Sequence, residues 1–148
     1  MKMTFRWFGD DDRVPLEYIR QIPGVSGVVT ALHDIPAGEV WELDRLEQRK
    51  DAINAAGLAF SVVESIPVHE DIKLGRPTRE RFVDTYAESI RNVGEIGVSV
   101  ICYNFMPVFD WTRTDLEMPL PDGSTALAFD DDALSGIDLS AGTGNLPG

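Results

Sequence analysis

A chain of 148 residues, 43% hydrophobic and 26% charged, has the composition of one ordinary globular domain and excludes a largely disordered polymer. Its net charge of −12 argues against nucleic acid or anionic lipid as a partner, since binding there begins with Lys and Arg neutralising phosphates. A single cysteine, Cys102, rules out an intramolecular disulfide; with no signal-peptide pattern at Met1-Lys2-Met3-Thr4-Phe5-Arg6 and no apolar run near 18 residues, a cytoplasmic setting without a membrane span is expected.

The first predicted strand is Thr4-Phe5-Arg6-Trp7, followed by a short helix from Pro15 through Ile19 to Ile22. A weak repeat then sets the frame. Three times a glycine is followed by a β-branched apolar run ending in polar residues: Gly24 to Thr30, Gly57 to Glu64 and Gly97 to Asn104. A glycine just after a helix supplies the left-handed residue that ends it, and a near-continuous apolar run suits a strand buried on both faces. The segments between the runs read as helices. Leu43, Leu46, Ile53 and Ala56 mark one, and Phe82, Val83, Tyr86, Ile90 and Val93 recur at helical spacing after Thr78, a suitable N-cap. The order β-α-β-α-β-α-β predicts a parallel sheet of about four strands with three helices and right-handed crossovers.

Beyond Asn104 the pattern changes. Leu116, Met118 and Leu120 alternate, Pro121-Asp122-Gly123 makes a turn, and Thr125, Leu127 and Phe129 alternate again, which predicts a β-hairpin over 116–129. Residues 130–148 read as loop or linker, Gly142-Thr143-Gly144 included, because no strand precedes that triplet and no helix follows it. A domain that stops in a loop reads as a piece of something longer.

In parallel α/β folds ligands meet the carboxyl ends of the strands. Those positions hold Arg6, Trp7 and Gly9; His33 and Asp34; Glu64, His69, Glu70 and Asp71; and Asn104, Asp110, Trp111 and Arg113. His33 has two readings, a site residue or a loop histidine bonded to its neighbour. His69-Glu70-Asp71 looks like a metal cluster, but adjacent side chains diverge, so at most one of the three is expected to face a site. Cys102, inside an apolar run, reads as a buried small hydrophobe rather than a nucleophile. Glu64 is a candidate site carboxylate or the partner of a nearby arginine, and Arg113 is either a plug or a cation for a carboxylate substrate.

Longer blocks carry a resemblance. Phe5-Arg6-Trp7-Phe8-Gly9, Gly27 to His33, Gly38-Glu39-Val40-Trp41, Val63 to Lys73 and Cys102 to Asp115 resemble the mannonate dehydratases of hexuronate catabolism, a likeness that runs to about Asp130. The resemblance implies a TIM-type (β/α)8 barrel, xylose-isomerase-like, of which residues 1–148 would form the N-terminal half. It implies dehydration of D-mannonate to 2-dehydro-3-deoxy-D-gluconate with Fe²⁺ or Mn²⁺, the metal ligands lying outside this chain and Cys102 not among them. The substrate-binding residues expected are Arg6, Trp7, His33, Glu64, His69, Asn104 and Arg113, with the general acid and base unassigned, and the chain alone is expected to be inactive. The partner expected is a small sugar acid, with homo-oligomerisation left open. Another metal-dependent sugar isomerase or epimerase on the same barrel, or a non-catalytic half-barrel, are the alternatives.

Overall fold

A computed structural model describes residues 1–106 and 113–133. The chain divides into two compact units, Met1–Phe105 and Met106–Gly148. The first contains β1 (Met3–Arg6), α1 (Leu16–Ile19), β2 (Val25–Thr30), α2 (Leu43–Ala55), β3 (Ala59–Val63), α3 (Glu70–Lys73) and α4 (Arg79–Glu95). Its three strands pair in the order β1-β2-β3, all parallel. The second unit contains an antiparallel hairpin, β4 (Asp115–Pro119) and β5 (Thr125–Ala128). The structure is therefore mixed α/β, with a parallel sheet and a separate small antiparallel one.

The glycine repeat has a local cause. Gly57 and Gly97 follow α2 and α4 with φ of +76° and +83°. The Gly57 N–H donates to the Asn54 carbonyl and Leu58 N–H to Ile53; Gly97 and Leu58's counterpart Val98 donate likewise to Gly94 and Val93. Both are Schellman ends, in which only a residue tolerant of positive φ turns the chain back while the next residue enters the core. Leu58 and Val98 are indeed buried, as are Ile53 and Val93. The same two residues thus end a helix and start an apolar run.

The core lies between the sheet and the helices: Val28, Phe60 and Val63 from the strands meet Ile19, Leu46, Ile53 and Val93 from the helices. Trp41, in the loop before α2, is fully buried. Its N–H donates to Ser89 Oγ at 3.0 Å and its carbonyl accepts from Asn92 Nδ2 at 2.9 Å, so α4 holds that loop through two hydrogen bonds.

Four expectations are corrected. The predicted fourth strand, Val98 to Asn104, makes only one isolated parallel bridge, Val63 with Ile101. Val63 N–H donates to the Val100 carbonyl and Cys102 N–H to the Val63 carbonyl, but among the described residues no strand pairs with its other side. With one neighbour the ladder does not extend, and Val100 and Tyr103 stay exposed. Cys102 is exposed for the same reason, not buried. A fourth helix, α3, adds to the three expected. Thr78 does not cap α4: its backbone is already helical and its hydroxyl donates to the Asp71 carboxylate instead.

The hairpin of the second unit matches the alternation read in the sequence. Its turn is closed by Gly123 N–H to the Leu120 carbonyl and by Asp122 Oδ1, which accepts from both the N–H and the hydroxyl of Ser124. Asp110 and Trp111, and the Gly142-Thr143-Gly144 linker with the rest of 134–148, lie outside the described residues.

Candidate active site

β1, β2 and β3 run parallel, so their carboxyl ends open on one side of the sheet. Arg6 ends β1, and Glu64 directly follows β3. Arg6 Nη1 lies 3.1 Å from Glu64 Oε2, an ion pair that spans the sheet with both side chains partly open to solvent. The Arg6 guanidinium also lies over the Phe8 ring, 4.8 Å from its centroid, while Arg6 Nε is buried without a hydrogen-bond partner among the described residues. Phe8 in turn faces His33, their rings 5.6 Å apart. Arg6, Phe8, His33 and Glu64 form one group, brought together from three strand ends.

Electrostatics in this group favour a neutral imidazole. Burial pushes the His33 pKa below its usual value, and the positive charges of Arg6 and Arg49 push it the same way, against the weaker opposing pull of Asp34. Asp34 is held ionised by Arg45, whose Nη2 lies 2.5 Å from its Oδ2. Asp34 thus pairs with Arg45 of α2, and the imidazole of His33 faces Phe8.

Trp7 sits beneath the group rather than in it. It is buried, its N–H donates to the Val29 carbonyl, and the Arg49 guanidinium lies 5.0 Å from its ring centroid. Arg49 Nη1 is 3.5 Å from Asp10 Oδ1, an ion-pair distance, and makes no hydrogen bond among the described residues. Trp7 is thus covered by the Arg49 guanidinium.

His69 is engaged elsewhere. Its Nδ1 accepts from the Asp71 N–H at 3.1 Å and so caps α3, and its ring stacks on Phe82 at 3.5 Å with 9° between planes. A Cβ built on Gly38 would stand 2.8 Å from both His69 Cδ2 and the Phe82 ring, so the loop before α2 closes on the edge of the stacked pair. The space left beside the ring is about 10 Å³, room for roughly one water. Of its neighbours, Glu70 pairs with Lys73, and Asp71 accepts from Thr78 and Arg76. Those bonds, Thr78's first, lower the Asp71 pKa. The His-Glu-Asp run is a helix start: an acceptor at the N-cap and two acids in the first turn. That signal was in the sequence and competed with the metal reading.

Asn104 is half-buried at the end of the fourth apolar run. Arg113 belongs to the second unit, just before the hairpin. Phe8 is the member the sequence reading passed over as a site residue; an aromatic ring exposed immediately after a strand was the available signal. Among the described residues no group of three or more His, Cys, Asp or Glu could hold a metal ion, so these residues do not fit a metal centre by themselves.

The strand-end group and the parallel sheet define an α/β protein with polar side chains gathered at the carboxyl ends of its strands, where such sheets meet ligands. Comparison makes the class specific. The D-mannonate dehydratase (UxuA) family model matches residues 1–146. The chain is 57% identical over all 148 residues to a mannonate dehydratase of Streptococcus uberis and 56% identical to one of Streptococcus agalactiae. It covers 42% of each of those proteins, so it spans about two fifths of their length. The crystal structure of mannonate dehydratase from Streptococcus suis serotype 2 superposes with a TM-score of 0.90 at 56% identity, over 95% of this chain and 40% of that one. This chain belongs to the D-mannonate dehydratase family.

Proposed function

We propose that this chain is the N-terminal part of a mannonate dehydratase, a cytoplasmic enzyme of hexuronate breakdown that removes water from D-mannonate to give 2-dehydro-3-deoxy-D-gluconate. The observation that carries the reading is identity of 56–57% over all 148 residues of the chain. On this reading the three parallel strands are the opening arc of a TIM-type (β/α)8 barrel, whose ligands bind at the carboxyl ends. The family's divalent ion, Fe²⁺ or Mn²⁺, is then held by residues outside this chain.

The chemistry of the substrate explains the opening. A sugar acid brings a carboxylate and a row of hydroxyls to a protein carrying −12, so a local cation must offset the repulsion. Arg6 meets that need: Glu64 pins one edge of its guanidinium, while the side chain stays 36% exposed. Dehydration removes the C2 proton and expels the C3 hydroxyl. A neutral His33 accepts a hydrogen bond from a hydroxyl or receives a proton, which an imidazolium could not. Glu64 and Asn104 supply acceptors and a donor for the remaining hydroxyls; Arg113, which belongs to the second unit, is a separate candidate cation for a carboxylate. Trp7 and His69 belong to the same set as positioning residues, one through Arg49 and the other through α3.

The test is a chimera in which this chain replaces the matched stretch of the Streptococcus suis enzyme. It should dehydrate D-mannonate. Arg6→Ala and His33→Ala should each lower kcat/KM by roughly tenfold or more, the usual scale for loss of a charge-assisted contact or a proton carrier. A folded chimera that isomerises or epimerises sugars instead, or is inert, overturns the reading.

A further inference from the structure

The exit of β1 carries a ring that the core does not use. Trp7 prolongs the β1 ladder by donating to the Val29 carbonyl, so the alternation of an extended strand continues past Arg6. Trp7 goes into the core, and Arg6 and Phe8, two residues apart, share the other side. Phe8 stands outside the core and is 58% exposed. Exposure of one ring means little by itself; its neighbours single it out. The Arg6 guanidinium lies over the ring, 4.8 Å from its centroid, and the His33 imidazole meets it at 5.6 Å, tilted by 36°. One side chain thus touches two residues assigned to the sugar acid, although one ends β1 and the other follows β2.

The ring is held through its own backbone. Phe8 N–H donates to Asp12 Oδ2 at 2.7 Å, Val14 N–H donates to Oδ1 of the same carboxylate at 2.9 Å, and Asp12 N–H returns to the Gly9 carbonyl at 3.0 Å. A single carboxylate therefore staples the turn that leaves Phe8. Those N–H groups, Val14 first, keep the Asp12 carboxyl below its usual pKa. Arg6 is constrained in two different ways. Glu64 grips one edge of the guanidinium, a contact that still lets the plane rock about it, and the Phe8 ring lies against the plane itself. Together they fix an orientation that neither sets alone.

We propose that Phe8 is a positioning residue of the strand-end group: its ring sets the plane of Arg6 and the imidazole of His33 toward the sugar acid. The inference rests on the function proposed above, in which those two residues meet the carboxylate and a hydroxyl. Loss of the ring leaves Arg6 its charge and its Glu64 partner but frees its plane. The effect then falls on substrate binding rather than on folding.

Phe8→Leu, which keeps an apolar side chain, and Phe8→Tyr, which keeps the ring, test this in the chimera. Phe8→Leu should raise KM for D-mannonate roughly two- to fivefold, the scale of one exposed cation–π contact, with kcat and Tm nearly unchanged. Phe8→Tyr should behave as the parent. On an Arg6→Ala background Phe8→Leu should add little, because a ring that works through Arg6 has almost nothing left to orient. The His33 ring protons, displaced by the Phe8 ring current, should move in the NMR spectrum of Phe8→Leu and stay in that of Phe8→Tyr. An unchanged KM or unmoved His33 resonances in Phe8→Leu overturns the proposal. So does a lower Tm with reduced kcat at constant KM, the mark of a ring that only supports the fold. A full second loss on the Arg6→Ala background also overturns it, since the ring would then meet the substrate itself. Calorimetric affinity for D-mannonate needs no turnover and keeps the two readings apart. Affinity weakened by Phe8→Leu in a chimera that does not dehydrate sinks the proposed activity and leaves the positioning role; dehydration with KM and affinity unmoved does the reverse.

Discussion

The two histidines sit in comparable places, in the loops that leave β2 and β3, and do opposite work. His33 lies in an open group with Arg6, Phe8 and Glu64, where its surroundings set its charge. His69 is enclosed: its nitrogen caps α3, its ring stacks on Phe82, and Gly38 closes on it. Position after a strand therefore does not fix what a side chain's polar atoms meet. What separates them is whether neighbouring elements consume the side chain's polar atoms or leave them facing an opening.

The sharpest test of the enclosed region lies at its base. Trp41→Ala should destabilise the chain by about 3–5 kcal/mol, since it empties a fully buried indole site and the loop tied to α4 loses its anchor. Urea unfolding of the variant reads this directly, and a loss under 1 kcal/mol would mean that the loop packs independently of α4.

Next in size is the contrast between the histidines themselves. His69→Ala should cost about 1–2 kcal/mol, through loss of an N-cap acceptor and a stacked ring, and His69→Asn should recover part of it by restoring the cap. His33→Ala should change stability far less while lowering activity in the chimera. Equal stability losses at the two positions would erase the distinction.

The Arg6–Glu64 pair should contribute at most about 1 kcal/mol, because both partners are more than a third exposed and solvent screens them. Glu64→Gln should leave the unfolding midpoint nearly in place and reduce substrate affinity. A large stability loss would recast the pair as architecture.

The smallest effect is on pH dependence. The folded chain holds the His33 pKa below the 6.5 of an unfolded histidine, so the unfolded state takes up the proton first. Stability from this group is intact above pH 6.5 and falls as acid carries the solution through 6.5 toward the lowered folded value. NMR titration should place His33 below the usual range, and Arg6→Met should raise it by removing one of the positive charges. An unmoved midpoint in that variant would leave burial and Arg49 as the causes.

Much of this was legible in residue order. Gly57 and Gly97 announced their helix ends because a Schellman turn is local, needing only a few consecutive residues. The parallel strands followed from helix-length spacing between apolar runs, and the 116–129 hairpin from alternation around Pro121-Asp122-Gly123. Arg6, His33 and Glu64 could be shortlisted because strand ends in parallel sheets face one way. α3 was obscured because His-Glu-Asp serves equally as a metal motif and a helix start, and only Thr78, Arg76 and Lys73 closing on those acids decided between them.

Sequence by itself determined what short-range chemistry controls: where helices stop, which runs are apolar enough for strands, where the chain turns, and which family it resembles. Only the tertiary structure decided that His69 is a cap while His33 faces Phe8, that Arg49 stacks on Trp7, and that Cys102 is exposed. Each depends on which residues from distant elements arrive beside it, and periodicity carries no record of that. The apolar run at Val98–Tyr103 makes the point: composition qualified it to be a strand, but a strand needs hydrogen-bond partners on its edges, and the described residues provide them on one side alone.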